Sequence, residues 1–265
     1  MAIPPARPDG AALITGASSG IGCEIAKQLH AQGHNVILVA RRTHRLEELA
    51  HELNARRLGR VEIVPCDVAD HAARAAMVET VEQLALDVDV LVLSAGFGMG
   101  GPFLQQDPDR IVQMARTNLE SVFALARVLV PPMVTRGRGA VLVVSSMAGY
   151  QPWPNFGAYA ATKAGATSFA LMLGEELRKT GVSVTALTPG GVSTEFSAVA
   201  GMQRQEQTSM LARMSHPYDI ARAGLDGLHA GAKLVMPTWS ARVFVAVGRV
   251  MPRRIWLPVC RRLLA

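Results

Sequence analysis

Thr15-Gly16-Ala17-Ser18-Ser19-Gly20-Ile21-Gly22, residues 15–22, decides how this chain is read. It follows the apolar run Ala11–Thr15 and opens a segment near 20–32 whose apolar spacing predicts a helix. A strand that turns through glycine into a helix leaves free N–H groups and a positive dipole end at the turn, where an anion can sit. In that arrangement Gly16 permits a tight turn, Gly20 lets backbone approach a pyrophosphate, and Gly22 allows close packing of helix on strand. The spacing is GxxxGxG and not the GxGxxG dinucleotide fingerprint, so the octapeptide alone leaves a ligand-free glycine turn open.

The same alternation continues outward. Candidate strands are Ala11–Thr15, Asn35–Ala40, Val61–Cys66, Val88–Leu93, Ala140–Ser145 and Val182–Thr188, with a short last one at Lys233–Met236. Most are continuous Val/Ile/Leu runs, the pattern of strands covered on both faces. Helical segments are predicted near 20–32, 43–57, 70–86, 107–130 and 157–180, with Pro131-Pro132 closing the fourth and Gly181 the fifth. Six βα repeats without a linker predict an α/β fold, a Rossmann-type doubly wound parallel sheet of about seven strands. The expected organisation is one domain over 1–265, with a core at 9–237 and a basic, apolar C-terminal extension at 238–265. Residues 195–216, rich in Met, Gln and Ser, are expected to form a lid, followed by a helix from about Pro217.

The second strand runs into Arg41-Arg42, and the nearest acid is Glu47. An acid at that strand end would bind a ribose 2′-OH and repel a 2′-phosphate, whereas a guanidinium pairs with phosphate in two-point fashion. The expected cofactor is therefore NADP(H), with NAD(H) disfavoured, and Arg41 is the first candidate for the phosphate. After the third strand, Cys66-Asp67-Val68 offers Asp67 either to an adenine amino group or as a cap for the helix near Asp70. Ser94-Ala95-Gly96 puts small residues where a cofactor backbone must pass.

Ser145-Ser146 end the fifth strand, and Tyr159-Ala160-Ala161-Thr162-Lys163 lies in the next helix. Residues four apart share a helical face, so an ammonium sits near a phenol. That cation is expected to lower the phenol from its usual value of about 10 and make it an acid/base near neutrality. A serine hydroxyl at the strand end can hold a substrate oxygen as its charge changes.

With these motifs together, the chain resembles the short-chain dehydrogenase/reductase family, in its single-domain form, over roughly residues 9–230. The matching stretches are Thr15–Gly22, Asp67, Ala95-Gly96, Asn118, Ser146, Tyr159, Lys163 and Pro189-Gly190 through Thr194. The family's serine stands thirteen residues before its tyrosine, which selects Ser146 over Ser145. The resemblance implies hydride transfer between nicotinamide and a carbonyl or alcohol carbon. Tyr159 would act as acid/base, Ser146 would hold the oxygen, and Lys163 would bind nicotinamide ribose. Asn118 would hold a water of a proton relay. The cofactor set it implies is Gly16, Ser18, Ser19, Gly20, Ile21, Arg41, Arg42, Asp67, Val68, Ala95, Gly96, Asn118, Tyr159, Lys163, Pro189, Gly190, Val192 and Thr194. Two departures stand out. Leu93-Ser94 occupy the place of two asparagines, and the family's Val-Asp-Gly-Gly ending is missing, so contacts inferred from that ending are not carried over.

Phe97, Met99, Met147, Tyr150, Trp153 and Phe156 cluster in sequence around these positions, and Met202 and Met210 fall in the expected lid. No basic cluster accompanies them, so a lipophilic ketone, aldehyde or secondary alcohol is the expected substrate. The chain has 265 residues, a net charge of +6, a hydrophobic fraction of 49% and a charged fraction of 18%, which excludes a disordered chain. From Gly227 onward there are seven basic residues and no acid, more than the whole net charge, so residues 1–226 come to −1. A basic tail on a neutral body argues against a nucleic-acid binder. Three scattered cysteines suit a reducing cytosol, and the seven histidines form no metal motif, so no metal is expected. No signal peptide and no spanning segment is visible. The expected location is cytoplasmic, with self-association. The tail, broken by Pro252 and Pro258, is expected to pack on the domain or a second subunit, with an anionic membrane surface as the alternative. The competing functional readings are an NADP-binding sensor or scaffold without turnover and a peripheral membrane protein.

Overall fold

The strands at the centre of the sheet are mostly apolar because helices cover both of their faces. A computed structural model describes residues 3–56, 58–196, 200 and 215–264. The strands are β1 Gly10–Thr15, β2 Asn35–Ala40, β3 Val61–Pro65, β4 Asp87–Leu93, β5 Gly139–Val144, β6 Val182–Leu187 and β7 Leu234–Val235. Every residue of β1, β2 and β5 is buried. All pair in parallel, in the order β3-β2-β1-β4-β5-β6-β7. The chain winds outward from β1 to β3, returns to β4 on the other side of β1, and so opens a crevice at the carboxyl ends of β1 and β4.

The period of two along the strands sorts the core into two layers. Leu13, Ile37, Val39, Leu91, Val141 and Val143 face α3 (His71–Gln83), α5 (Ser121–Thr135) and α6 (Gly157–Glu176), numbered with α4 (Pro108–Ala115) between α3 and α5. Ile14, Val36, Leu38, Val90, Val92 and Leu142 face α1 (Gly20–Ala31), α2 (Thr43–Asn54) and α7 (Pro217–His229). Strand and helix limits lie within a few residues of those expected. The glycine expected to close the segment before β6, Gly181, has φ +82°.

One expectation is corrected. Pro131 and Pro132 do not close a helix but lie inside α5, which runs to Thr135. A helical proline removes one N–H, here leaving the carbonyls of Arg127 and Val128 without donors. Both residues are exposed, so water takes those places. The region after Trp239 is also helical, as α8 (Trp239–Val250) and α9 (Arg253–Leu264), with Pro252 between them and Pro258 inside α9. One face of each packs on the body: Ala241, Phe244, Val245, Trp256 and Cys260 join Met147 and Met236 in one cluster.

At the other end of the sheet, Asp89 is the extra residue where β4 shifts register against β1, between the pairs Ala11–Val88 and Ala12–Val90. Such a bulge re-aims a side chain. Asp89 accepts from Arg7 at 2.7 Å and lies 3.2 Å from Arg138, while Arg7 also reaches Asp87 at 2.5 Å.

Candidate active site

The glycine loop lies at the crevice. Gly16 has φ +71° and Gly20 φ +58°, a region that side chains with a Cβ rarely enter. A Cβ on Gly16 would stand 2.9 Å from the Ala95 backbone, and one on Gly20 would stand 3.1 Å from Thr194. The loop is thus pressed between the end of β4 and the segment that carries Thr194. Gly22 packs as expected, since a Cβ there would come 2.5 Å from the Gly16 carbonyl. Ser19 caps α1 without a side-chain bond, and the first turn holds no acid. The initial N–H groups of a helix have no partners within it, so this end fits an anionic ligand on the criterion of free donors and bare backbone.

Thr15 binds the two sides of the crevice. Its hydroxyl donates to the Val92 carbonyl (3.3 Å) and accepts from the N–H groups of Ser94 (3.0 Å) and Ala95 (3.2 Å). Sequence reading missed this role. It supplies backbone support at the place where Leu93-Ser94 replace the family's asparagines.

Of the two arginines after β2, Arg42 is the one that lies on the loop. Its guanidinium donates to Ser18 Oγ (3.1 Å), Ser19 Oγ (2.7 Å) and the Glu195 carboxylate (2.7 Å). Arg41 is exposed and stands 3.7 Å from Asp67. Arg41, the first candidate for a phosphate from sequence, thus lies off the loop that Arg42 touches. Asp67 does not cap a helix: it accepts from the Ala69 N–H at 3.0 Å, and Asp70 caps α3 through Ala73 at 2.7 Å. Val68 is buried and its carbonyl accepts from Arg74. Glu195 had no signal in the sequence, being far from Arg42 along the chain. Arg42 and Arg45 hold its carboxyl below the usual carboxylate range, the hydrogen bond with Arg42 being the larger cause.

The side chains expected to react meet at the ends of β4 and β5. Ser145 is tied away from the crevice: its hydroxyl donates to the Lys163 carbonyl (2.8 Å) and pairs with Thr167 (2.6 Å). Ser146 is the next residue and caps the short turn Met147–Tyr150, accepting from the Ala148 N–H. Its hydroxyl also acts on the Tyr159 phenol, favouring the ionised form. The Lys163 ammonium stands 6.0 Å from the Tyr159 ring centroid and donates to the Val144 carbonyl at 2.9 Å. Asn118 lies in a π-helical turn, Arg116–Glu120, that joins α4 to α5, and such turns recur at functional sites. Its side chain accepts from the Phe97 N–H (3.0 Å) and donates to the Phe97 carbonyl (2.9 Å) and Thr162 Oγ1 (3.1 Å). Thr162 in turn donates to the Tyr159 carbonyl. Asn118 thus fixes the Phe97 loop to α6, and Gly96 passes between Asn118 and Lys163.

The expected lowering of the tyrosine does not hold in this structure. Burial pushes the Tyr159 hydroxyl up to about 12, against a smaller opposing pull from the Ser146 hydroxyl. Burial also brings Lys163 down to about 8. Helical spacing gives proximity but not the loss of water around both groups, and desolvation disfavours each charged form.

The apolar residues form two groups, with Trp153 packed against both. Phe97, Met99, Trp153 and Phe156 gather around Tyr159, joined by Phe196, whose ring centroid is 5.4 Å from that of Tyr159. Met147 and Tyr150 belong instead to the cluster under α8 and α9. Pro189 accepts from the Met147 N–H at 2.9 Å, Gly190 lies against Thr238, and Val192 bridges to Ser215. Met202, Met210 and most of the expected lid lie outside the described residues. Among the described residues no group of three His, Cys, Asp or Glu side chains is placed to hold a metal.

Comparison with known proteins identifies the family. The family model described as short chain dehydrogenase matches residues 10–205. The dehydrogenase/reductase SDR family member 7B of Bos taurus is 36% identical over 70% of this chain, which spans 58% of that relative's length. A short-chain dehydrogenase from Sphingobium yanoikuyae in complex with NADPH superposes with a TM-score of 0.81 at 29% identity, covering 94% of this chain and 95% of that one. A bulky-bulky ketone specific alcohol dehydrogenase from Comamonas testosteroni gives 0.76 at 25% identity, over 92% and 93%. A 3-oxoacyl-[acyl-carrier protein] reductase from Brucella melitensis with bound NAD gives 0.74 at 28% identity, over 88% and 90%.

Proposed function

The chain belongs to the short-chain dehydrogenase family, and on that premise we propose that it is an NADP(H)-dependent oxidoreductase acting on the carbonyl or secondary alcohol of a lipophilic substrate. The observation that carries this reading is the meeting of Ser146, Tyr159 and Lys163 beside a glycine loop whose hydroxyls are held by Arg42. A bound nicotinamide supplies or accepts the hydride. The Tyr159 hydroxyl, protonated at neutral pH, gives its proton to the substrate oxygen as negative charge develops there, and Ser146 donates a hydrogen bond to the same oxygen. Lys163, charged below about pH 8, stabilises the tyrosinate left behind. Asn118 keeps the Phe97 loop and α6 in register.

The preference for NADP(H) rests on Arg42 and Arg41 and on the lack of an acid at the end of β2. Arg42 already holds an anionic group, the Glu195 carboxylate, and a 2′-phosphate presents similar acceptors. Phe97, Met99, Trp153, Phe156 and Phe196 around Tyr159 support an apolar substrate; the bulky ketones named for the Comamonas testosteroni enzyme are of that class.

The test is kcat/KM with NADPH and NADH against a panel running from bulky aryl and alkyl ketones to sugars. NADPH is expected to be preferred, and Arg42→Ala to lower kcat/KM for NADPH by about 10- to 100-fold with little change for NADH, the worth of a charge-assisted pair. Wild-type preference for NADH would refute the cofactor assignment, and preference for a polyhydroxylated substrate the substrate class.

A further inference from the structure

The outward faces of α8 and α9 carry a pattern that the oxidoreductase site leaves unexplained. Both helices are fixed to the body by their inner faces. The Phe244 and Trp256 rings lie 5.0 Å apart, and Gln151 ties the pair by donating to the Val245 carbonyl (3.1 Å) and accepting from the Trp256 indole N–H (2.8 Å). On the other side of α8, Trp239, Val243 and Val250 form one stripe at helical spacing and are 69%, 51% and 83% exposed. Ile255 and Leu257 are exposed on α9. Among these apolar side chains stand Arg242, Arg249, Arg253, Arg254, Arg261 and Arg262, all exposed, and no acidic residue follows Asp226. Among the described residues none of the six forms an ion pair, although Arg249 lies over the Tyr150 ring at 5.5 Å.

We propose that this face docks peripherally on an anionic lipid bilayer. An exposed Trp with aliphatic neighbours enters the headgroup boundary, while arginines around it pair with lipid phosphates. Each helix has twelve residues, whereas crossing a bilayer needs about 20 apolar residues, and no described helix is long and apolar enough to cross. A nucleic acid would match the arginines but leave the apolar stripe in water. A second copy meeting the same face across a two-fold axis would set arginine against arginine with no acid to separate them. Docking here rests on the tail alone and is independent of the reaction assigned above. Its geometric consequence is that Met147 and Tyr150, in the turn after Ser146, lie one helix layer from the lipid surface, beneath the inner faces of α8 and α9.

The experiment is flotation of the full chain with phosphatidylglycerol-containing vesicles, with phosphatidylcholine vesicles, and with anionic vesicles in high salt. NADPH turnover and thermal unfolding are measured on the same samples. Binding is expected to anionic vesicles only and to weaken with salt. Replacing Arg254, Arg261 and Arg262 together by Gln should lower partitioning by about a hundredfold, roughly fivefold for each basic residue near the surface. Val250→Ser, which keeps every charge, should also weaken binding with unfolding unchanged. Equal binding to neutral vesicles, failure to float with anionic ones, or retention by the triple Gln variant would each overturn the proposal. So would a dimer in sedimentation that Val250→Ser dissociates.

Discussion

Replacing Thr15 by Val tests whether one hydroxyl holds the crevice together. Valine matches the shape of threonine and keeps its β-branched strand preference, so the change removes three hydrogen bonds and little else. Thr15 is 1% exposed, and its oxygen accepts from the backbone N–H groups of Ser94 and Ala95. Each orphaned donor costs about 1–3 kcal/mol if wholly buried. Ser94 and Ala95 are half-buried, so water recovers part of this, and a total of about 2–3 kcal/mol is expected. For a chain of this size that is a fall in Tm of about 5–10 °C. The Ala95 backbone lies against Gly16, so loosening it also disturbs the glycine loop, and NADPH binding should weaken alongside stability. Thr15→Ser keeps the oxygen and should retain most of both. Chemical denaturation and fluorescence titration with NADPH give the two readouts. If Thr15→Val is within about 0.5 kcal/mol of wild type, the range of an uninvolved surface change, the reasoning fails.

Two further outcomes follow from charge. Lys163 is brought down to about 8 by burial, so kcat/KM for the cofactor, which reports the free enzyme, should decline as pH rises through about 8; Lys163→Arg should remove that limb, and an unchanged limb would show that another group causes it. Arg7 holds the Asp87 carboxyl below its usual value, chiefly by hydrogen bonding. A depressed folded-state value gives stability that is full above about pH 4 and lost as pH falls through the folded value. The stability gap between wild type and Arg7→Leu should therefore narrow below about pH 4, and a gap independent of acid would contradict the pairing.

Much of this architecture was readable in residue order because its causes are local. Strands such as Val36–Ala40 and Val141–Val144 are covered on both faces, so their apolar runs mark them. The glycine loop and the Tyr159–Lys163 spacing are short-range patterns, and the structure brings both to one crevice. What escaped depends on distant contact or on water. Pro131 and Pro132 read as a stop only if the carbonyls they abandon are dry, and those belong to exposed residues. The rise of Tyr159 comes from burial that no spacing reveals. Met147 and Tyr150 left the expected substrate wall because α8 and α9 fold back over them. Glu195 meets Arg42 across the crevice, and the bulge at Asp89 shows only once β4 is paired with β1.

The most direct test of the account is Tyr159→Phe, assayed for NADPH binding and for NADPH-dependent reduction of the best ketone found. The account predicts binding close to wild type and turnover lowered by about a hundredfold or more, the usual worth of a positioned proton donor. Turnover within a few-fold of wild type, with binding intact, would contradict it and move the acid to another residue.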